Sequence, residues 1–143
     1  MARSVTVVVE TGKDLYSCFM ASKGTEDLSF SLIGDGKTAR EAVNDFLVCR
    51  DEMREYYKEE GLDFPEIDFN FVFDVGAFFN FYPISVTAFA KYIGMNASLM
   101  RQYAAGIKEP RGKSLKRIRD GIEKVKRDID GGLLIDKPVL QYV

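Results

Sequence analysis

The stretch that decides the fold is SVTAFAKYIGMNASLMRQYAAGIKEP, residues 85–110. Its spacing predicts two short helices joined by a tight turn. Ser85 and Asn96 are residue types that cap helix N-termini, and Gly94 tolerates the positive φ of a helix-ending turn. Phe89 and Ala90 fall on the buried face of the first helix. The pattern is that of a helix-turn-helix unit.

The second of these helices leaves polar and small residues facing outward. Leu99, Met100 and Tyr103 recur at helical spacing and are predicted to point inward. The outward positions hold residue types that contact base edges in a DNA major groove. The predicted base contacts are Asn96, Ala97, Ser98, Arg101 and Gln102. An ordinary helical hairpin inside a hydrophobic core is the alternative interpretation.

The charges are divided unequally along the chain. Residues 83–143 carry twelve Lys or Arg against six Asp or Glu, a net charge of +6, whereas residues 1–82 carry −8. Such asymmetry indicates an anionic partner for one half and a cationic partner for the other. The predicted phosphate contacts follow the helix-turn-helix directly: Lys108, Arg111, Lys113, Lys116 and Arg117. A charge run of this kind is otherwise only a solvated helix face.

Composition narrows the class of protein. The chain has 143 residues, of which 46% are hydrophobic, enough for one medium or two small packed domains. No segment approaches the length of about 18 apolar residues that a membrane span needs, and the N-terminus lacks a secretory leader pattern. Cys18 and Cys49 lack metal-ligand spacing and are typical of buried thiols in a reducing compartment. We therefore expect a cytoplasmic protein without a membrane partner.

The sequence gives little support to catalysis. It contains no histidine, so mechanisms that depend on a histidine base or ligand are excluded. The segment from Gly36 to Thr38 is similar to the end of a phosphate-binding loop, but Ser31 stands where that loop needs its first glycine. Thr38 and Glu41 instead predict a capping box at a helix start. We expect no enzyme activity, no catalytic residue, no metal site and no cofactor.

The first half predicts an α+β unit. Strand patterns occupy residues 5–10, 15–20, 28–33 and 67–74, and apolar residues recur at helical spacing over residues 38–60. Closely spaced strands favour antiparallel pairing. The expected fold is an N-terminal antiparallel β-β-β-α-β sheet domain, followed by an all-α, repressor-like helix-turn-helix domain and a short C-terminal strand. The expected boundaries are 1–76, 77–132 and a strand-like tail, 133–143.

The outer face of the helix over residues 38–60 is acidic. Four of its carboxylates are predicted to bind a basic partner: Asp51, Glu52, Glu55 and Glu59.

A second apolar stripe, Leu115, Ile118, Ile122 and Val125, follows one face of the helix over residues 111–130 and offers a dimer contact. Because one small helix-turn-helix reads few base pairs, we expect at least a homodimer.

Elements in this order resemble the HicB antitoxin family, in the branch with a C-terminal helix-turn-helix. The resemblance depends on the strand over residues 5–10, on the glycine-rich helix start from Gly34 to Ala42, and on the unit over residues 85–110. It implies an antitoxin of a type II toxin-antitoxin module that neutralises a small, basic, HicA-like ribonuclease toxin. It also implies repression of its own operon by binding a double-stranded DNA operator.

Two other functions remain open on the sequence. One is a stand-alone helix-turn-helix transcriptional regulator whose N-terminal domain binds a small ligand or another protein. This alternative gains weight because the turn from Thr11 to Tyr16 departs from the family's pattern, and no proline precedes Gly34. The other, an RNA-binding or nuclease-like protein, is disfavoured by the acidic first half and the lack of histidine.

Overall fold

A computed structural model describes residues 2–134 as an α+β fold. Four strands and five helices follow one another in the described residues: β1 (Arg3–Thr11), β2 (Tyr16–Met20), β3 (Ile33–Gly36), α1 (Ala39–Glu59), β4 (Ile67–Phe73), α2 (Val75–Phe81), α3 (Val86–Ile93), α4 (Ala97–Ala104) and α5 (Gly112–Asp130). Within residues 2–134, no helix is long and apolar enough to cross a membrane.

The sheet is mixed, and the prediction of an antiparallel sheet is wrong. Its strand order is β3-β2-β1-β4. β2 pairs antiparallel with β1 and β3, but β4 pairs with β1 in parallel, with Val7 opposite Phe71. The reason is the crossover: α1 returns the chain across the sheet, so β4 enters beside β1 in the same direction. Short loops could predict only the two antiparallel pairings, β1 with β2 and β2 with β3.

Helix α1 covers one face of the sheet and forms the first hydrophobic core. Val5, Val7 and Val9 point toward it and are almost fully buried, as is Phe46 from the helix. Gly34 permits this close approach, because a Cβ atom there would lie 2.3 Å from the backbone nitrogen of Phe46. Packing therefore requires a glycine at this position of β3.

The third strand lies later in the chain than predicted. Residues 28–33 were expected to form it, but β3 begins at Ile33, the last of them, and ends at Gly36. Leu28, Phe30 and Leu32 instead contribute to the first core from a loop. The alternation of apolar and polar residues shows only that every second side chain is buried. A loop that crosses a hydrophobic core produces this pattern as well as a strand does.

The helices after β4 are continuous with the sheet and do not form the separate all-α unit that was expected. α2 begins two residues after β4 ends, and it contacts β1, β4, α1 and α4. Ala77 belongs to the first core, whereas Phe79 belongs to a second core with Phe89, Met100 and Ile118. The predicted boundary between residues 76 and 77 falls inside α2. Most of the predicted tail, 135–143, lies outside the described residues.

Candidate nucleic-acid interface

Helices α3 and α4 are joined by a three-residue turn whose ends are capped. The Ser85 hydroxyl accepts a hydrogen bond from the Ala88 N–H at 3.2 Å, and the Asn96 amide oxygen accepts one from the Leu99 N–H at 2.9 Å. Gly94 ends α3 in the left-handed conformation, with φ of 71°. These three local predictions are confirmed, and they fix the angle at which α4 leaves the turn.

The second core holds this pair of helices in place. Ala90 and Met100 are fully buried where α3 crosses α4. Gly121 on α5 lies against α3 so closely that a Cβ atom there would be 2.4 Å from Cγ2 of Ile93. α4 makes no comparable contact with α5, so its outward face stays open on the described part of the molecule.

The structure brings the predicted base-contacting residues together at the start of α4. Ser98 and Arg101 are exposed, while Ala97 and Gln102 are partly buried. Arg101 donates a hydrogen bond from Nη1 to the hydroxyl of Thr87 on α3, at 3.2 Å. Asn96 is exposed, but its amide oxygen is already used by the cap. Ser98 and Arg101 are thus the two polar side chains most available to a ligand.

The predicted phosphate contacts divide into two groups. Lys108 and Lys113 are exposed, and neither has a carboxylate within 4 Å among residues 2–134. Arg111 lies 3.4 Å from Glu109, and Lys116 lies 2.6 Å from Asp120, both as exposed ion pairs. Exposed pairs of this kind are weak and exchange readily for a phosphate.

Arg117 has a structural contact that its sequence position did not predict. Its Nη2 donates hydrogen bonds to the carbonyl oxygens of Ile93 at 3.0 Å and Gly94 at 2.9 Å. These carbonyls end α3, and a cation there complements the helix dipole. Arg117 therefore ties α5 to the turn between α3 and α4. Sequence periodicity alone could not find this contact, because it depends on how α5 crosses α3.

The predicted acidic face lies on α1, on the side of the helix that faces away from the sheet. Asp51, Glu52, Glu55 and Glu59 are all exposed. Asp51 is paired with Arg50 at 2.9 Å and Arg54 at 3.6 Å. The other three point away from the sheet together with Val48, which is 53% exposed. We call the surface formed by Val48, Glu52, Glu55 and Glu59 the α1 ridge.

A junction between sheet and helices is a feature that sequence reasoning missed. Thr11, at the end of β1, donates hydrogen bonds to both carboxylate oxygens of Asp74, each at 2.8 Å. Asp74 also caps α2 by accepting from the Ala77 N–H at 2.8 Å. A cleft of about 690 Å³ opens beside this junction, between the β1–β2 turn and the end of α4.

Two titratable groups in the described residues have strongly shifted pKa values, Cys18 and Asp27. Burial raises the pKa of the Cys18 thiol to about 12, which removes its nucleophilic thiolate at neutral pH. A hydrogen bond from Arg3 lowers the pKa of Asp27 to about 2, but this pair is exposed on the surface. Over residues 2–134, no group of three or more Cys, Asp or Glu could hold a metal ion.

No protein-family model, no curated protein and no solved structure matches this chain. The arguments about its function therefore depend on its own residues and geometry, together with the resemblance described above.

Proposed function

We propose that this protein is a DNA-binding transcriptional repressor that binds an operator through α4. The observation that carries the proposal is the exposure of Ser98 and Arg101 on the first turns of a capped helix, with Lys108 and Lys113 unpaired beside it. A helix presented in this way can enter a major groove by its N-terminal half while the flanking cations contact phosphates. The proposed location of this activity is the cytoplasm.

We further propose that the repressor is the antitoxin of a type II toxin-antitoxin module. The acidic α1 ridge favours this second role, because Glu52, Glu55 and Glu59 are exposed without a basic partner within 4 Å in the described part of the chain. A ribonuclease that binds RNA presents a basic surface, to which such a ridge is complementary. A stand-alone regulator without a toxin is the alternative.

The proposed DNA-binding function is tested by selecting an operator sequence and then measuring the binding of variants to it. Arg101→Ala should weaken binding to the selected operator by about 1–3 kcal/mol and relax its sequence preference. Lys113→Ala should weaken binding to every duplex and reduce the slope of affinity against salt by about one. If Arg101→Ala binds the operator as tightly as the parent, α4 is not the helix that contacts bases.

The antitoxin half is tested with the product of the neighbouring small gene. The full chain should co-purify with that protein and abolish its toxicity when both are expressed. The variant Glu52→Lys/Glu55→Lys should associate with it more slowly, since steering by charge acts mainly on the association rate. A neighbouring product that neither co-purifies nor is neutralised would leave the stand-alone regulator.

A further inference from the structure

Strand β4 forms one edge of the sheet, and one of its sides has no strand beside it. Among residues 2–134 it pairs only with β1, so the backbone N–H and C=O groups along its other side have no strand partner there. β4 is seven residues long, is rich in phenylalanine and contains no lysine, arginine or proline. Proteins protect an edge of this kind with such residues or by covering it. We therefore expect another segment to cover the edge of β4.

An apolar groove of about 450 Å³ opens onto this edge. Three consecutive residues of β4 line it, Phe71, Val72 and Phe73. Because successive side chains point to opposite faces of a sheet, a cavity that touches all three lies along the edge itself. The opposite wall is the second half of α5, from Ile122 to Ile129. The groove therefore offers an added apolar strand both the backbone groups of β4 and the apolar side chains of α5.

The chain supplies such a strand directly after α5. Residues 135–143, which lie outside the described residues, have the sequence IDKPVLQYV. Valine and tyrosine favour strands, and residues 139–143 are apolar except for Gln141. α5 ends at Asp130, one residue after Ile129 of the groove. The eight residues from 131 to 138 span up to about 28 Å when extended, which is enough to reach a groove on the same copy or on a second one.

The first residues after α5 lead away from the groove of their own copy. Leu133 is 90% exposed, and Leu134 is fully exposed. A chain that folded back into its own groove would reverse direction here and run along α5 again, which would place these leucines near Ile129. Their exposure instead indicates that the chain leaves its own surface. A second copy of the chain then provides the groove that the segment enters.

We propose that residues 135–143 of one copy bind in the groove of a second copy and add a strand to the edge of β4. In a two-fold dimer the exchange is reciprocal, so it covers both edges and both grooves. Main-chain hydrogen bonds to β4 hold the segment, and alternate side chains set its register. Since Gln141 is polar, Leu140 and Tyr142 are the side chains that enter the groove. This inference does not rest on DNA binding or on the antitoxin role.

The first test uses the full chain with the photo-crosslinking residue p-benzoylphenylalanine at one of two tyrosine positions. Position 142 lies in the segment, and position 56, exposed on α1, is the matched control. Irradiation should join two copies through position 142, and mass spectrometry should map the adduct to residues 71–73 or 122–129. Position 56 should give no covalent dimer. An adduct within one chain, an adduct outside the groove, no adduct, or equal dimer formation from position 56 would overturn the proposal.

The second test measures dimerisation of full-chain variants by sedimentation equilibrium. Leu140→Lys places a charge on the side of the segment that enters the groove, and it should weaken the dimer by about tenfold or more, as the loss of a central apolar contact does. Gln141→Lys adds the same charge on the solvent side and should change the dimerisation constant by less than about twofold. Circular dichroism confirms that both variants fold.

The same measurement separates this segment from the rest of the α5 surface. A dimer that Ile129→Glu disrupts but Leu140→Lys leaves intact would assign the contact to α5 alone and refute the added strand. A full chain that is monomeric before any substitution would refute it as well. Loss of the dimer in both Ile129→Glu and Leu140→Lys, with Gln141→Lys unaffected, is the result expected.

Discussion

Thr11 and Asp74 join the sheet to the helices through two hydrogen bonds, one from the Thr11 N–H and one from its hydroxyl, each 2.8 Å long. The same carboxylate caps α2. The methyl group of Thr11 lies so near Gly106 that a Cβ atom on that glycine would be 2.9 Å away. The end of β1, the start of α2 and the end of α4 therefore meet at one threonine.

Replacing Asp74 with alanine should destabilise the protein by about 1–3 kcal/mol, because it leaves two donors of Thr11 and the first turn of α2 without their acceptor. Chemical denaturation followed by circular dichroism measures this loss. Asp68→Ala is the control, because Asp68 is an exposed β4 residue whose side chain makes no hydrogen bond in the described structure, and it should change stability by less than about 0.5 kcal/mol. Equal losses for both variants would contradict the role of the junction.

The close approach of α1 to the sheet predicts that Gly34→Ala is severely destabilising. The new methyl carbon would lie within 3 Å of three backbone atoms on α1, and backbone cannot move aside as a flexible side chain does. We expect a loss of about 2–4 kcal/mol. Gly131→Ala provides the matched control, since a Cβ there meets only one atom, at 3.9 Å. A Gly34→Ala protein as stable as this control would show that α1 packs farther from β3.

Comparing alanine variants of Arg117 and Lys113 distinguishes a residue that stabilises the turn from one that only contacts phosphate. Arg117→Ala removes the hydrogen bonds to the carbonyls of Ile93 and Gly94, so it should lower the melting temperature as well as DNA affinity. Lys113→Ala removes the same charge from an exposed position and should lower only DNA affinity. Differential scanning calorimetry of the two variants checks the difference. The role of Arg117 in the turn would be refuted by identical melting temperatures.

The two cysteines should differ strongly in reactivity. Cys18 is fully buried, and its pKa is raised to about 12, so at pH 8 it holds almost no thiolate in the native state. Cys49 is partly exposed and should react first. With a thiol reagent at pH 8, Cys18→Ser should be labelled in the native state, while Cys49→Ser should be labelled only after unfolding. Rapid native labelling of Cys49→Ser would contradict the burial of Cys18.

Structural features that depend only on residues close together in the sequence could be predicted. The caps at Thr38, Ser85 and Asn96 and the left-handed Gly94 follow from residue type and spacing, and each is present. The parallel pairing of β4 with β1 could not be predicted in this way, because its register joins residues more than 60 positions apart. The Thr11–Asp74 junction and the contact from Arg117 to the turn could not be predicted for the same reason, because each joins residues that are far apart in the sequence.

The residues predicted from the sequence to form the dimer contact are mostly unavailable at the surface. Ile118 is fully buried in the second core, so it cannot form an interface, and Leu115 and Ile122 are partly buried. The apolar stripe of α5 continues outward to Ile129, which is 68% exposed and lines an apolar groove of about 450 Å³ with Phe71 and Val125. We therefore expect this end of α5 to form the homodimer contact.

Charges of both signs flank this end of α5, including Lys126 and Asp128, so two copies related by a two-fold axis can pair opposite charges. Ile129→Glu should shift the protein to monomer in sedimentation equilibrium at tens of micromolar, a concentration on the order of weak dimer affinities. Arg119→Glu changes an exposed charge nearer the start of the same helix and should leave the dimer intact. A protein that is monomeric before any substitution, or a dimer that survives Ile129→Glu, would exclude this contact.

Because an operator with two half-sites needs two copies of α4, the monomeric variant should also bind a full operator no more tightly than a half-site.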